Sequence, residues 1–277
     1  MNDELKFTVI SDTHYYSKKN FVDGFDKNKK PKPGQLFFSR SEEIVEHTFD
    51  CLCKNDTPDI VLISGDLTYN GERTSHDEMK AALKKLQQKG KRVYVITATH
   101  DYTTPRMPTY GIDKNDKYIE VESVKRTQLL KYYGDFGYNN AIAKHKSTMS
   151  YVAQLADGYR LFALNDDYGD PDCGFSDELM NWVKTEANNA KRDGQYIIAM
   201  THHPLVPPSP IYAAVAKGDM LNEYELRRNQ LSDLGFDFVL TGHTHMHNIS
   251  YCKIGNKKFY DTSTAALTGF PPYYRQI

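Results

Sequence analysis

Ile60-Val61-Leu62-Ile63-Ser64-Gly65-Asp66 is the stretch from which the fold is read. Four consecutive apolar residues with no polar alternation mark a strand covered on both faces, the habit of parallel sheets. The Gly-Asp pair ends the run and sets a carboxylate just beyond the strand's carboxyl end. Upstream, Phe7-Thr8-Val9-Ile10 reads as a second strand, and downstream Val93-Tyr94-Val95-Ile96 as a third. Helical patterns lie between them. Residues 41–54 carry Ile44, Val45, Thr48, Phe49 and Leu52 at helical spacing. Residues 75–89 carry Met79, Ala82, Leu83 and Leu86 on one side, with Gly90 at the stop position. This is a βαβαβ series.

The second half is mixed. Tyr151-Val152-Ala153 and residues 159–164 flank Asp157-Gly158, a hairpin signal. Ser176 caps a helix whose first turn holds Asp177 and Glu178, and Gly194 ends it. A strand over 196–200, a helix over 222–234, a strand over 238–241 and a hairpin about Gly255-Asn256 follow. The pattern predicts an α/β or mixed sandwich fold. Residues 102–149, broken by Pro105, Pro108, Gly111, Gly134 and Gly137, read as an insertion or loop region near the site, with one helix over 120–133. Two further long loops, 15–39 and 204–218, are candidates for functional loops. The lysines at 27–30, with Pro31 and Pro33, read as a solvated surface.

With 277 residues the chain is long enough to bury a substantial core in one large domain, read as spanning 1–277. It ends soon after Phe270-Pro271-Pro272-Tyr273-Tyr274 with no clear terminal element, which is read as a sign of a truncated C-terminus. Lys and Arg number 35 against 36 acids, a net charge of -1 that removes the electrostatic case for a general nucleic-acid or membrane-surface binder. No apolar run approaches the roughly 18–20 residues of a membrane span. Cys51, Cys53, Cys173 and Cys252 contain no Cys-x-x-Cys pair and are read as reduced thiols. With no basic, apolar leader, they point to a cytoplasmic protein.

In open α/β sheets ligands bind beyond the carboxyl ends of strands. Five such ends carry Asp or His: Asp12 and His14; Asp66; Thr99, His100 and Asp101; His202 and His203; His243 and His245. A lone His or a lone Gly-Asp says little, and His47, His76 and His145, outside this set, are read as structural. The joint occurrence at strand ends points to a metal site. Imidazole and carboxylate together suit Zn, Mn or Fe, whereas an all-carboxylate site suits Mg or Ca. Asp66, on the central strand and preceded by glycine, is the natural bridge between two metals about 3.5–4 Å apart.

These residues resemble the calcineurin-like metallophosphoesterase family, whose pattern is D-x-H, G-D, G-N-H-[DE], a His, and G-H-x-H. The matches are Asp12-Thr13-His14, Gly65-Asp66, Ala98-Thr99-His100-Asp101, Thr201-His202-His203-Pro204 and Gly242-His243-Thr244-His245, spread over residues 8 to about 265. The resemblance implies a four-layer α-β-β-α sandwich of two mixed sheets flanked by helices. It implies one metal site of Asp12, His14, Asp66 and His245, and a second sharing Asp66 and adding His202 and His243. His100 then protonates the leaving oxygen, and Asp101 orients its imidazole. The implied activity is metal-dependent hydrolysis of a phosphate mono- or diester, a metal-bound hydroxide attacking in line, with two Mn, Fe or Zn ions as cofactors and a small phosphate ester as partner.

One position departs from the pattern. The family's Asn, a ligand of the second metal, is Thr99 here, and the preceding Gly is Ala98. Thr99 or a water fills the place, or the second site is weak, or only one metal binds. The alternative function is therefore a catalytically weakened or inactive scaffold that binds metal or a partner. A metal hydrolase of another chemistry would need its His-x-His cluster early rather than late. Tyr69, three residues after Asp66, stands where the purple acid phosphatase branch has an iron-binding tyrosine; the competing reading is a turn residue.

Overall fold

The computed structural model describes residues 4–24, 36–54, 56–167 and 172–277. The lysines at 27–30 and their prolines lie outside the described residues. In chain order the elements are β1 (Phe7–Ile10), α1 (Ser41–Leu52), β2 (Ile60–Ser64), α2 (Arg73–Gln88), β3 (Arg92–Ile96), β4 (Gly111–Ile112), β5 (Tyr118–Ile119), α3 (Leu129–Tyr133), β6 (Ala143–His145), β7 (Ser150–Ala156), β8 (Tyr159–Ala163), α4 (Asp177–Arg192), β9 (Tyr196–Met200), α5 (Pro210–Val215), α6 (Tyr224–Asp233), β10 (Phe238–Thr241), β11 (Asn248–Ile254), β12 (Lys257–Ser263) and β13 (Arg275–Gln276).

β1, β2 and β3 run parallel in a four-stranded sheet of order β13-β1-β2-β3. A seven-stranded mixed sheet, β11-β12-β10-β9-β8-β7-β6, faces it, with β8, β9 and β10 parallel. Helices cover the outer faces. The side-chain period of two divides the second sheet between two cores. Leu161 and Ala163 of β8 and Ile198 and Met200 of β9 pack toward the first sheet, together with Val45, Phe49 and Leu83 of α1 and α2. Phe162, Ile197 and Ala199 pack the other way, onto Leu179, Val183 and Ala187 of α4. On β2, residues 60–63 are buried without exception, as a strand sandwiched on both faces requires.

Two segments differ from expectation. The helix over 120–133 shrinks to a 3-10 turn, Arg126–Gln128, and the five residues of α3. Before it the chain is extended, because its backbone pairs with the entrance to α2: the Arg73 amide donates to Glu122 O (2.9 Å) and the Val124 amide to Gly71 O (2.9 Å). The chain end is also ordered into an element. β13 pairs antiparallel with β1, and the Phe7 and Ile277 backbones exchange both hydrogen bonds. No helix among the described residues is long and apolar enough to cross a membrane.

β3 is an edge strand whose free backbone groups need partners. The Val95 amide donates to Phe136 O (3.0 Å), and the Val95 carbonyl accepts from the Tyr151 hydroxyl (3.0 Å), which reaches across from β7. Tyr151 thus ties the two sheets together. Tyr151→Phe keeps the ring and leaves that carbonyl without its donor, so unfolding in urea should show a loss of about 1–2 kcal/mol. An unchanged midpoint would contradict this role.

Candidate metal centre

Parallel strands bring their carboxyl ends to one edge of each sheet, and there the five expected motifs meet. The chain leaves each strand abruptly. Asp12, His14, Asp66, His243 and His245 all take left-handed backbone conformations, with φ of 50°, 37°, 51°, 63° and 56°. Few residues accept that region, and Asp and His are among the side-chain-bearing types that tolerate it best. Residue types suited to metal binding are also suited to the turns that aim them. Five such residues at one edge mark a place where backbone strain is maintained by the surrounding structure.

The loops are zipped together by their backbones. The Asp12 amide donates to Gly65 O (3.1 Å), the His14 amide to Asp66 O (3.0 Å) and the Gly242 amide to His202 O (3.0 Å). Close approach explains two glycines. A Cβ on Gly65 would stand 2.7 Å from both Ala98 Cβ and His202 Nδ1, and one on Gly242 would strike Ser11 Oγ and lie 2.5 Å from Asp12 Oδ2.

Asp12, His14, Asp66 and His202 are buried, and their polar atoms divide into anchored and free ones. Asp12 Oδ2 accepts from the Ser11 hydroxyl (2.5 Å) and the His243 amide (3.0 Å). Its Oδ1 makes no hydrogen bond, and faces His245 Nε2 at 3.4 Å and His14 Nε2 at 3.7 Å. Those two imidazole nitrogens are 3.1 Å apart. Asp66 Oδ1 accepts from the His100 amide (2.9 Å), while Oδ2 lies 3.2 Å from His202 Nε2 and 3.8 Å from His14 Nε2. The Ser64 carbonyl can only accept, so its 2.8 Å contact with His202 Nδ1 puts a proton there, and the buried Nε2 is the atom aimed inward. His243 lies beside it, ring centroids 5.1 Å apart.

Two neighbouring groups of ligand-type atoms result: Asp12, His14 and His245, and Asp66, His202 and His243. His14, Asp66 and His100 form a third group that links them. Ligand-type atoms converging from buried Asp and His, Asp12 Oδ1 and His202 Nε2 among them without a hydrogen bond, are what a borderline divalent cation needs. The residues therefore fit the metals that the resemblance implies. Electrostatics agree. Burial opposes ionisation of Asp12, but the imidazoles of His14 and His245 facing its Oδ1 outweigh it and hold the carboxyl well below the usual range. Burial likewise opposes the charge on Asp66, and the charges of His202 and His100 more than offset it. His202 is pulled above its ordinary range, the charges of Asp66 and Asp12 overcoming its desolvation.

His100 reaches the centre but is not oriented by Asp101, as the sequence suggested. Its Nδ1–H donates to the Tyr69 carbonyl (2.6 Å) and to Asn70 Oδ1 (2.8 Å). The Asp101 carboxylate instead accepts from the Ala98 amide (2.9 Å), the Thr68 amide (2.9 Å) and the Thr68 hydroxyl (3.2 Å). It staples the turn, because the 3-10 turn Thr99–Asp101 sends neighbouring side chains to different partners. Burial, and next the charge of Asp66, push its carboxyl up to about 8. Thr99 opens that turn half-buried. The Tyr69 hydroxyl meets that of Tyr110 at 3.5 Å, and the Tyr69 ring packs edge-on to His14 at 6.3 Å.

Asn70 and Asp166 were missed by the sequence reading. Asp166 Oδ2 accepts from the His203 amide (2.7 Å), the Thr201 hydroxyl (2.8 Å) and the His202 amide (3.1 Å), and so fixes the turn that presents His202. It stands three residues after the end of β8 at Ala163, where a full census of strand ends would have found it. Asn70 carries no comparable signal, since its role depends on how two loops meet.

The calcineurin-like phosphoesterase profile matches residues 5–247, and the chain belongs to that family. No curated protein sequence matches it. Among solved structures, a dimetal phosphatase from Danio rerio superposes with a TM-score of 0.66 at 11% identity, covering 98% of this chain and 91% of that one. A phosphopantetheinyl hydrolase from Mycobacterium tuberculosis gives 0.47 at 13% identity, covering 100% and 97%. At that identity the likeness to the Danio rerio protein is one of fold.

Gly242 has an ordinary backbone conformation, so Gly242→Ala tests close approach alone. The added methyl should displace Asp12 and weaken Mn binding by about tenfold or more in calorimetry, with the far-ultraviolet circular dichroism retained. Wild-type affinity would contradict the arrangement described.

Proposed function

We propose that this chain is a metal-dependent phosphoesterase that hydrolyses a phosphate mono- or diester. The observation that carries the reading is Asp66: one buried carboxylate faces both His202 and His14, and so joins the two imidazole groups. Asp12, His14, Asp66 and His245 would hold one ion, and Asp66, His202 and His243 the other, with Thr99 in the place of the family's amide ligand. Two bound ions of Mn, Fe or Zn would supply Lewis-acid charge for the phosphoryl oxygens and an acidified water.

The chain's own residues do the rest. Asp12 and Asp66 supply fixed negative charge in a buried site, which selects cations. Ser11, through its bond to Asp12 Oδ2, leaves Oδ1 as the free donor of that carboxylate. His100 has its Nδ1–H committed to Tyr69 O and Asn70 Oδ1, so Nε2 is its working atom. From there it holds a proton for the leaving oxygen, a service worth typically 10²–10⁴-fold. Asn70 is the positioning residue for that ring.

The test is turnover of p-nitrophenyl phosphate and bis(p-nitrophenyl) phosphate by protein loaded with Mn or Fe. Asp66→Asn should abolish it while the fold survives. His100→Asn should lower kcat by about 10²–10⁴-fold with metal content unchanged. Full activity in Asp66→Asn would sink the reading. Thr99→Asn separates it from the scaffold alternative: turnover appearing only in that variant would show a weakened site, and similar turnover in both would show that Thr99 is accommodated.

A further inference from the structure

We infer that the centre acts on phosphate esters whose leaving alcohol carries a planar aromatic group, and that the rings of Tyr69 and Tyr110 form the corner that receives it. The inference rests on the proposed function, because it takes His100 to be the group facing the leaving oxygen. The leaving group must then lie on the His100 side of the centre, and that side is aromatic. The Tyr69 carbonyl anchors the His100 ring, and the Tyr69 ring stands beside it, centroids 6.4 Å apart. Behind Tyr69, Tyr16 (5.6 Å, 78°) and Phe38 (5.4 Å, 35°) hold the ring in place.

Tyr110 meets Tyr69 nearly at right angles, centroids 6.1 Å apart and planes at 83°, with the two hydroxyls in contact at 3.5 Å. A planar ring laid against one tyrosine face meets the edge of the other, the geometry aromatic groups favour. Tyr69 and Tyr110 are both half-buried: each is lodged in the fold and each keeps part of its surface open. Tyr118, 61% exposed, packs against Tyr110 with centroids 4.2 Å apart and planes tilted by 40°, and extends the surface outward.

The corner is built before any ligand arrives. The Thr109 hydroxyl donates to Asn70 O (2.5 Å) and the Tyr16 hydroxyl to Tyr110 O (3.1 Å), so the segment bearing Tyr110 is tied to the loop bearing Tyr69. A Cβ on Gly71 would lie 2.6 Å from Tyr102 Cα, which shows how closely the same two segments pack. Preorganisation of this kind lowers the cost of binding. The described partners of the two tyrosine side chains are rings and hydroxyls, so what the corner offers is stacking, with hydroxyls at its edge.

AMP and ribose 5-phosphate test the inference, because both are esters of a ribose 5′ primary hydroxyl and differ at C1, where one carries the base and the other a hydroxyl. On Mn-loaded full-length protein, kcat/KM should favour AMP by roughly tenfold or more, the worth of one stacked base. Tyr110→Leu should bring the ratio toward one, chiefly through KM, and Tyr110→Phe should restore it. Calorimetry with adenosine gives a readout independent of turnover: binding in wild type and Tyr110→Phe, and at least tenfold weaker binding in Tyr110→Leu. Equal use of the two phosphates, a ratio untouched by Tyr110→Leu, or no adenosine binding would overturn the corner while p-nitrophenyl ester turnover still upheld the function. Adenosine binding without turnover of any ester would uphold the corner as a binding surface and sink the function.

Discussion

Two buried carboxylates within reach of one imidazole are the constraint on which the rest of the site depends. Asp12 Oδ1 and Asp66 Oδ2 lie 3.7 and 3.8 Å from His14 Nε2, and both residues are shut off from water. Charges so placed are costly unless they are compensated and hydrogen-bonded. The structure meets that cost in two ways. One oxygen of each carboxylate is saturated by protein donors, Ser11 and the His243 amide for Asp12 and the His100 amide for Asp66. The other faces imidazole nitrogens and is the atom a cation would take. Hydrogen bonding thus decides which oxygen is structural and which is available.

This division explains the turns. Each functional side chain follows a strand and must point back over the sheet edge within two to four residues. Left-handed backbone at Asp12, His14, Asp66, His243 and His245 achieves that reversal. Gly65 and Gly242 allow the neighbouring loops to touch. The Ala98 methyl fills the space over Gly65, so the small residue of one loop matches the small residue of the next. Asp166 and Asp101 do similar work from beneath, the first presenting His202 and the second closing the turn that carries His100.

Much of this was legible. The run at residues 60–63 had one reading because a strand buried on both faces has no polar alternation, and the parallel strands around it followed from helical periodicity between them. The meeting of the five motifs at one edge was legible for the same reason, since their residues closely follow strands. What was not legible depends on contacts distant in sequence. Residues 120–124 resemble a helix locally, yet their hydrogen bonds go to Gly71 and Arg73. Arg275–Gln276 is a strand only because β1 offers an edge. Asp101 was paired with His100 on adjacency alone, whereas the turn sends Asp101 to Thr68 and Ala98 and leaves His100 to Asn70. Asn70 could be recognised only once two loops had been folded against each other.

The central claim is that Asp66 joins two metal sites in one chain, with Thr99 compatible with the second. Elemental analysis of protein reconstituted with Mn and Fe and then desalted tests it most directly. The account predicts two metal ions per chain. One ion per chain, or none, would contradict it.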